Sequence, residues 1–318
     1  MLVICLVSLV VGNVLLGVWS LGLNFRKKLD NIQQAQHPDV VFMGNSLLDD
    51  RIDRAALNQG AAKQGAASGG QTFAPLNTAL GATDANDQSF LALYALQQHP
   101  QLHTMVVGFY DYQLTEEDRV TPVDLVGNHS IAFDSRIPVR EVAAIDHFDA
   151  FQTGELLLLR VLPMAACRVN IWKYAERLRR SMGGLGIRPE ITEIMGRPRS
   201  YYVTEPRRFL EDPSHFNSSY EYIFSQATTA RMHIVLVLMP MSPVHRKVYY
   251  TRQTWQDYLV KLQSLSQQRG FTFVDASAWM PDATQFEDAI HMTGAAATTF
   301  SFRIGAELAA AEDAKPGN

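Results

Sequence analysis

Short runs of consecutive apolar residues, separated by stretches with helical periodicity, set the hydropathy pattern of this chain from residue 38 onward. Four runs stand out, at residues 40–43, 104–109, 234–239 and 271–274. Apolar runs that are continuous rather than alternating are typical of parallel strands covered on both faces. The pattern therefore predicts four buried strands.

Helical patterns separate the predicted strands. Apolar side chains recur at helical spacing over residues 255–265, and Gly270 is placed to cap that helix at its carboxyl end. Residues 72–98 and 293–312 also predict helices. Strands that alternate with helices indicate an α/β fold with right-handed crossovers. We therefore expect a flavodoxin-like open parallel sheet between two layers of helices.

Residues 115–230 interrupt this alternation. The segment has no clear strand pattern and is too long for a simple strand-to-helix connection, so it predicts a mostly helical insertion, with helical runs at 155–161 and 169–182. Residues 168–208 carry ten Arg or Lys against four Glu. This excess indicates either a solvated face or a basic surface that binds anionic lipid headgroups or an anionic polymer.

The first 25 residues contain no charged side chain. About 20 apolar residues are enough to cross a bilayer as a helix. We favour a retained transmembrane anchor over a cleaved signal, because no basic region precedes the segment and no A-x-A site follows it. A polar connector at 26–37 then leads into the main domain, 38–318. Arg26-Lys27-Lys28 would place that domain in the cytoplasm by the positive-inside rule.

Composition narrows the function classes. The chain has 318 residues with 47% hydrophobic and 19% charged side chains, which is typical of a globular protein, and its net charge of −4 gives no signal for nucleic acid. Cys5 and Cys167 form neither a disulfide framework nor a metal motif. Gly60-x4-Gly65 lacks the Lys-Ser/Thr of a phosphate-binding loop. We expect no metal and no cofactor.

Candidate chemistry lies at the ends of the first and last predicted strands. Ser46 follows the first strand, and Asp288 precedes His291 by three residues in the loop after the last strand. Because ligands bind beyond the carboxyl ends of parallel strands, these side chains share one edge of the sheet. A serine hydroxyl becomes a nucleophile when a base takes its proton and a carboxylate orients that base. The alternatives are that Ser46 only caps a helix and that Asp288 and His291 form a surface loop pair.

With these motifs, residues 38–310 resemble the SGNH hydrolases, the GDSL-type esterase and lipase superfamily. Gly44-Asn45-Ser46-Leu47 is similar to the first family block, with Asn in place of Asp, and Ala67-Ser68-Gly69-Gly70 resembles the second. Asp288-x-x-His291 matches the last block. The resemblance implies Ser46 as nucleophile, His291 as base and Asp288 as its orienting group. It also implies an oxyanion hole formed by the N–H groups of Ser46 and Gly69, with Gly70 as the alternate.

The third family block, GxND, is altered in this chain. Gly108-Phe109-Tyr110-Asp111 places Tyr110 where the family has an asparagine that completes the oxyanion hole. Loss of one such donor costs about 3 kcal/mol, or roughly 10²–10³ in rate. Either the Tyr110 hydroxyl replaces the asparagine as a donor, or the site is slow or inactive.

Two further phrases, residues 237–240 and 291–295, resemble a membrane-anchored branch whose members acetylate or deacetylate cell-surface polysaccharides. The resemblance implies an esterase that cleaves an O-acyl ester on a cell-envelope carbohydrate, with an extracytoplasmic catalytic domain. An O-acyltransferase of the same fold and an inactive scaffold subunit of an envelope-polymer complex are the alternatives. His245, after Pro240, is interpreted as a solvated loop histidine.

Overall fold

The computed structural model describes residues 11–12, 23–64, 72–116, 121–122, 125, 131–162 and 206–313. These residues form one five-stranded sheet, in which all neighbouring strands are parallel and the order is β2-β1-β3-β4-β5. The strands are β1 (Val40–Met43), β2 (Pro75–Asn77), β3 (Thr104–Phe109), β4 (His233–Leu238) and β5 (Thr272–Asp275). The predicted α/β class with a flavodoxin-like parallel sheet is confirmed.

The helices of the described residues follow in chain order. They are α1 (Leu23–Gln34), α2 (Arg54–Gln64), α3 (Ala85–Gln98), α4 (Val139–Ile145), α5 (Ala150–Val161), α6 (Arg207–Glu211), α7 (Ser218–Thr229), α8 (Pro243–His245), α9 (Gln253–Gln268) and α10 (Gly294–Asp313). Every residue of β1 and β3 is buried, which explains why these strands are continuously apolar in sequence. Gly270 follows α9 with a φ of +73°, the conformation that favours glycine after a helix.

The helix predicted over residues 72–98 is wrong in its first half. Residues Pro75–Asn77 form β2, and α3 begins only at Ala85. Asp84 caps α3 because its side chain accepts a hydrogen bond from the Asp87 N–H. A three-residue strand that begins with proline is too short to show a strand pattern, so it could not be predicted from the sequence.

The chain divides into two compact units. One comprises Met1–Asn31 and Glu117–Glu190, and the other comprises Ile32–Glu116 and Ile191–Asn318 and contains the whole sheet. The predicted helical run 155–161 lies within α5, whereas the run 169–182 lies outside the described residues. At the end of the segment predicted to be an insertion, α7 lies directly before β4 and packs against α3.

Within the described ranges, no helix combines the length and the apolar character needed to cross a membrane. Most of the predicted anchor, residues 1–25, lies outside the described residues, and α1 begins at Leu23.

Helices α2 and α10 pack closely through two glycines. A Cβ added at Gly60 of α2 would lie 1.8 Å from the carbonyl oxygen of Phe302, and one added at Gly305 of α10 would lie 2.0 Å from the carbonyl oxygen of Leu57. Only glycine permits this backbone contact. The contact matters for the site, because α2 follows the Ser46 turn and α10 follows the Asp288–His291 loop.

Candidate active site

Ser46 lies in a tight turn directly after β1. The carbonyl of Asn45 accepts hydrogen bonds from the N–H groups of Leu48 and Asp49, both at 3.1 Å. The side-chain oxygen of Asn45 accepts a third from the Leu47 N–H at 3.0 Å. Glycine at position 44 lets the turn pack against β3, because a Cβ there would lie 3.0 Å from the carbonyl oxygen of Gly108. The turn leaves the Ser46 side chain partly exposed at the carboxyl edge of the sheet.

The loop before α10 folds around the carboxylate of Asp288. Its Oδ1 accepts hydrogen bonds from the N–H groups of Ile290 and His291, both at 2.8 Å. Its Oδ2 lies 2.7 Å from Nδ1 of the His291 imidazole. An isolated bridge between Phe286 and Met292 closes the loop. The aspartate thus orders both the backbone and the histidine ring.

The imidazole of His291 reaches the serine hydroxyl. Ser46 Oγ lies 2.8 Å from His291 Nε2, although the two residues are 245 positions apart in sequence. Because Nδ1 faces the Asp288 carboxylate, it carries the proton, and Nε2 is left to accept a hydrogen bond from the serine. The structure therefore brings Ser46, His291 and Asp288 into one hydrogen-bonded series.

The electrostatics of Asp288 favour its charged form. Partial burial raises the pKa of this carboxyl, but the hydrogen bonds it accepts from the His291 ring and from the Ile290 and His291 N–H groups lower it by more. The net effect holds the pKa of Asp288 well below its usual value. The group is consequently a carboxylate at neutral pH, as an orienting partner of an imidazole has to be.

Contacts between the two halves of the site fix their separation. Arg51, just after the Ser46 turn, pairs with Glu287 beside Asp288 at 3.0 Å. The Asp53 N–H donates to Ser301 Oγ of α10 at 2.9 Å, and Thr298 Oγ1 donates to Asp53 Oδ2 at 3.2 Å. Together with the glycine contact of α2 and α10, these bonds hold the serine and the histidine in one frame.

The loop after β2 forms another wall of the site, and the sequence did not single it out. A Cβ added at Gly81 would lie 3.7 Å from Ser46 Cβ, so the backbone of Gly81 runs beside the serine. The Gly81 N–H donates to Asp49 Oδ2 at 2.9 Å. Asn77 ties the same loop to the serine turn, because its side-chain amide donates to the Leu48 carbonyl at 2.8 Å. The available signal was Gly81 itself, but recognising it required knowing that β2 ends at Asn77.

The glycine pair chosen from the sequence, Gly69 and Gly70, lies outside the described residues. Both precede β2, whose first residue is Pro75. The loop that follows β2 at the carboxyl edge of the sheet contains Gly81. Within the described part of the chain, Gly81 is thus the glycine that lies beside Ser46.

Tyr110 is buried directly after β3, the strand next to β1. Its neighbour Asp111 has a φ of +47°, and the Asp111 carboxylate lies 2.9 Å from His245 Nε2. Both side chains are almost fully buried, which corrects the interpretation of His245 as a solvated histidine. Strands β3 and β4 are neighbours, so the loops that follow them are adjacent, and the pair of Asp111 and His245 joins these two loops.

Tyr250 completes this buried cluster. Its hydroxyl lies 3.4 Å from the Asp111 backbone nitrogen. Burial, and secondly the negative charge of Asp111, raise the pKa of Tyr250 well above its usual value. The ring stacks on Trp255 with centroids 4.0 Å apart. The cluster therefore keeps a neutral tyrosine packed behind the turn that carries Tyr110.

Among the residues that the structure describes, no group of three or more His, Cys, Asp or Glu side chains is arranged to hold a metal ion.

Comparisons with known proteins give remote similarities. A protein-family model matches residues 188–309, the range that contains β4, β5, Asp288 and His291. No curated protein matches the chain. The structure is similar to the lipase/acylhydrolase of Enterococcus faecalis, at 12% identity and a TM-score of 0.38 over 86% of this chain and 96% of that chain. It is also similar to a GDSL-like lipase of Bacteroides thetaiotaomicron, at 9% identity and a TM-score of 0.38 over 91% and 98%. Similarities this distant assign neither a family nor an activity.

Proposed function

We propose that this chain is a serine hydrolase of the SGNH type that cleaves O-acyl esters. The observation that carries the proposal is the series Ser46–His291–Asp288, with atom separations of 2.8 and 2.7 Å. A hydroxyl, an imidazole and a carboxylate in this order supply a nucleophile, a base and the group that orients the base.

In the proposed reaction, His291 Nε2 takes the Ser46 proton while Oγ attacks the ester carbonyl. The tetrahedral intermediate collapses to an acyl-enzyme, and His291 returns the proton to the departing alcohol. Water, activated by the same imidazole, then attacks the acyl-enzyme and releases the acid. Asp288 remains a carboxylate throughout and stabilises the imidazolium that forms twice in the cycle.

The oxyanion requires hydrogen-bond donors beside Ser46. The Ser46 N–H is one, as the motif resemblance implies. For the second donor the resemblance suggests Gly69, whereas the geometry beside the serine favours Gly81, whose N–H is held by Asp49 in this structure. In our proposal the ester oxygen replaces that carboxylate, and Tyr110 serves as a third donor in place of the missing asparagine. Each donor lowers the activation free energy by about 3 kcal/mol.

For the substrate we propose an acylated cell-envelope carbohydrate, with the chain anchored in a membrane by its N-terminal segment and the catalytic domain outside the cytoplasm. The charge-free run of 25 residues supports the anchor. The resemblance of residues 237–240 and 291–295 to the polysaccharide-modifying branch supports the carbohydrate. A sugar hydroxyl could take the place of water, which would make the protein an O-acyltransferase.

A second candidate is an inactive scaffold subunit of an envelope-polymer complex, and the specific observation in its favour is Tyr110 in the place of the asparagine donor. This candidate predicts no turnover from the site. Comparing the rates of ester hydrolysis by the wild type and by Ser46→Ala separates the two candidates.

The test is hydrolysis of p-nitrophenyl acetate by the purified full chain and by Ser46→Ala, with Ser264→Ala, at an exposed position of α9, as the matched control. We expect turnover by the wild type and the control and loss of turnover in Ser46→Ala. Product analysis by mass spectrometry with an acetylated oligosaccharide and an acceptor sugar then distinguishes hydrolysis from transfer. Equal rates in all three proteins would refute the proposal.

A further inference from the structure

Helix α5 has an inverted pattern of burial. Seven positions are exposed between residues 150 and 162, and all seven are apolar or glycine: Ala150, Phe151, Gly154, Leu157, Leu158, Val161 and Leu162. The polar side chains of the helix, by contrast, are partly buried: Gln152, Thr153, Glu155 and Arg160. A helix on the surface of a water-soluble domain shows the opposite arrangement.

The exposure of these side chains is large. Phe151 is 82% exposed, Val161 70%, Leu158 55%, Leu157 48% and Leu162 44%. Five of the eight large apolar side chains with such exposure, among the residues that the structure describes, therefore come from this one short segment. Single exposed apolar residues are ordinary on protein surfaces, but a contiguous group marks a surface that binds something.

The seven exposed positions form one continuous face. At 3.6 residues per turn they occupy an arc of about 140° that no polar or charged side chain interrupts. The opposite side of the helix is anchored by Leu156 and Leu159, which are buried, and by packing against α4. Arg160 fastens that side further by donating to the carbonyls of Ala132 and Ile137. Because α5 is held firmly from one side, its apolar arc is a fixed surface.

The charge of the surrounding sequence points to the occupant. Residues 168–208, which follow shortly after α5, carry ten Arg or Lys against four Glu, and such a cluster is attracted to anionic lipid headgroups. The compact unit that contains α5 also includes Met1–Asn31, whose first 25 residues carry no charge. The arc itself offers no side-chain hydrogen-bond donor or acceptor that a protein partner could use.

We infer that the exposed arc of α5 lies in the surface of a lipid bilayer and forms a second membrane contact besides the N-terminal segment. A helix of 12 residues is about 18 Å long, too short to cross a hydrocarbon core of about 30 Å, so it lies in the plane of the headgroups. Phe151, Leu158 and Val161 enter the acyl boundary. The inference rests on the proposed membrane anchor but not on the proposed chemistry.

The test compares two valines with almost equal exposure on helices. Val161 lies on the arc of α5, and Val260, at 67% exposure, lies on α9. Single-cysteine chains, Val161→Cys and Val260→Cys, are prepared in a Cys5→Ala/Cys167→Ala background and labelled with an environment-sensitive fluorophore. Each full chain is reconstituted into vesicles of phosphatidylethanolamine and phosphatidylglycerol. Quenching is measured with a nitroxide lipid in the bilayer and with iodide in the water.

We expect the label at position 161 to be quenched several-fold more by the nitroxide lipid than the label at position 260, and less by iodide. Equal quenching of both labels by the lipid would overturn the inference, as would failure of the chain to associate with vesicles. Protection of position 161 from iodide without lipid quenching would also overturn it, because a protein would then cover the arc. Ester hydrolysis in the same vesicles is a separate readout, so failure of the chemistry and failure of the docking are distinguished.

Discussion

At the scale of single residues, Asp288 links the backbone of its loop to the chemistry of the site. One carboxylate oxygen orders two N–H groups of the loop, and the other orients the His291 ring. Asp288 and His291 are three residues apart, and one turn of the chain is enough to bring their side chains together, so the sequence alone could suggest this pair. The contact with Ser46 depends instead on the ends of two strands meeting at one edge of the sheet, which the apolar runs indicated.

Replacing Asp288 by asparagine tests this role. An uncharged amide does not stabilise the imidazolium, and its NH₂ group can hold the ring in the wrong tautomer. We expect kcat for an aryl ester to fall by roughly 10³–10⁴ with little change in KM. The matched control is Asp282→Asn, which retains a helix-capping side chain in the preceding loop and should keep wild-type kinetics. A small effect of Asp288→Asn would contradict the assigned role.

Gly81→Ala probes the wall beside the nucleophile. The added methyl group would lie 3.5 Å from Asp49 Oδ2 and 3.7 Å from Ser46 Cβ, which are ordinary contact distances, so folding should be unaffected. It would nevertheless fill space that an acyl group needs. We expect kcat/KM for a butyryl ester to fall about tenfold more than for an acetyl ester, at an unchanged melting temperature. An unchanged preference between the two esters would remove Gly81 from the site.

At the scale of elements, the site depends on the close approach of α2 and α10. Gly60→Ala would force the new Cβ against the Phe302 carbonyl at 1.8 Å, so the helices would have to separate. We expect a loss of about 1–3 kcal/mol in the free energy of unfolding, accompanied by lower kcat because the serine and histidine move apart. Chemical denaturation and ester kinetics on one preparation measure both effects.

The control for this substitution is Gly154→Ala on α5, where a Cβ would meet nothing within 4 Å. Alanine is the better helix former by about 1 kcal/mol, so this variant should be as stable as the wild type or more so. If Gly60→Ala and Gly154→Ala were equally stable and equally active, the tight helix contact would have no part in positioning the site.

The elements also show where sequence reasoning reached its limit. The four strands with apolar runs and helix α10 were predicted within one residue of their bounds, and the apolar pattern of residues 255–265 lies inside α9. β2 was missed because Pro75–Asn77 is only three residues long and carries no strand pattern. Because β2 was missed, the loop after it, which contains Gly81 and lies beside Ser46, was not considered for the site. The close contact at Gly60 depends on three-dimensional packing, which no local pattern encodes.

At the scale of the whole molecule, stability should fall in acid. The pKa of Asp288 is lowered, and so is that of Asp134, where burial raises it but the hydrogen bonds and charge of Arg136 lower it further. A carboxylate with a lowered pKa stabilises the folded state above the pKa of the unfolded chain, about 3.9, and that stabilisation is lost as the pH falls through the folded-state value. The unfolded chain binds more protons over this range.

We therefore expect the urea midpoint of the detergent-solubilised chain to change little between about pH 7 and pH 5 and to fall below about pH 4. Asp288→Asn should reduce the acid-dependent part of that fall. Circular dichroism at each pH provides the measurement. A midpoint that rises on acidification would show that the carboxylates are not stabilised in the way their hydrogen bonds indicate.

The membrane anchor and the extracytoplasmic placement remain predictions at this scale. The charge-free N-terminal run supports the anchor, and the exposed arc of α5 adds a second reason to expect lipid contact. The extracytoplasmic placement is implied only by the motif resemblance, whereas Arg26-Lys27-Lys28 favours the opposite orientation. The parallel α/β architecture, in contrast, followed from the sequence because buried parallel strands must be apolar on both faces.

The most direct measurement of the central claim is the site of covalent labelling by a fluorophosphonate, mapped by peptide mass spectrometry on the folded full chain. We predict one adduct, on Ser46, absent from Ser46→Ala and formed far more slowly by His291→Ala. An adduct on a different serine, or no adduct in protein that is folded by circular dichroism, would contradict the account.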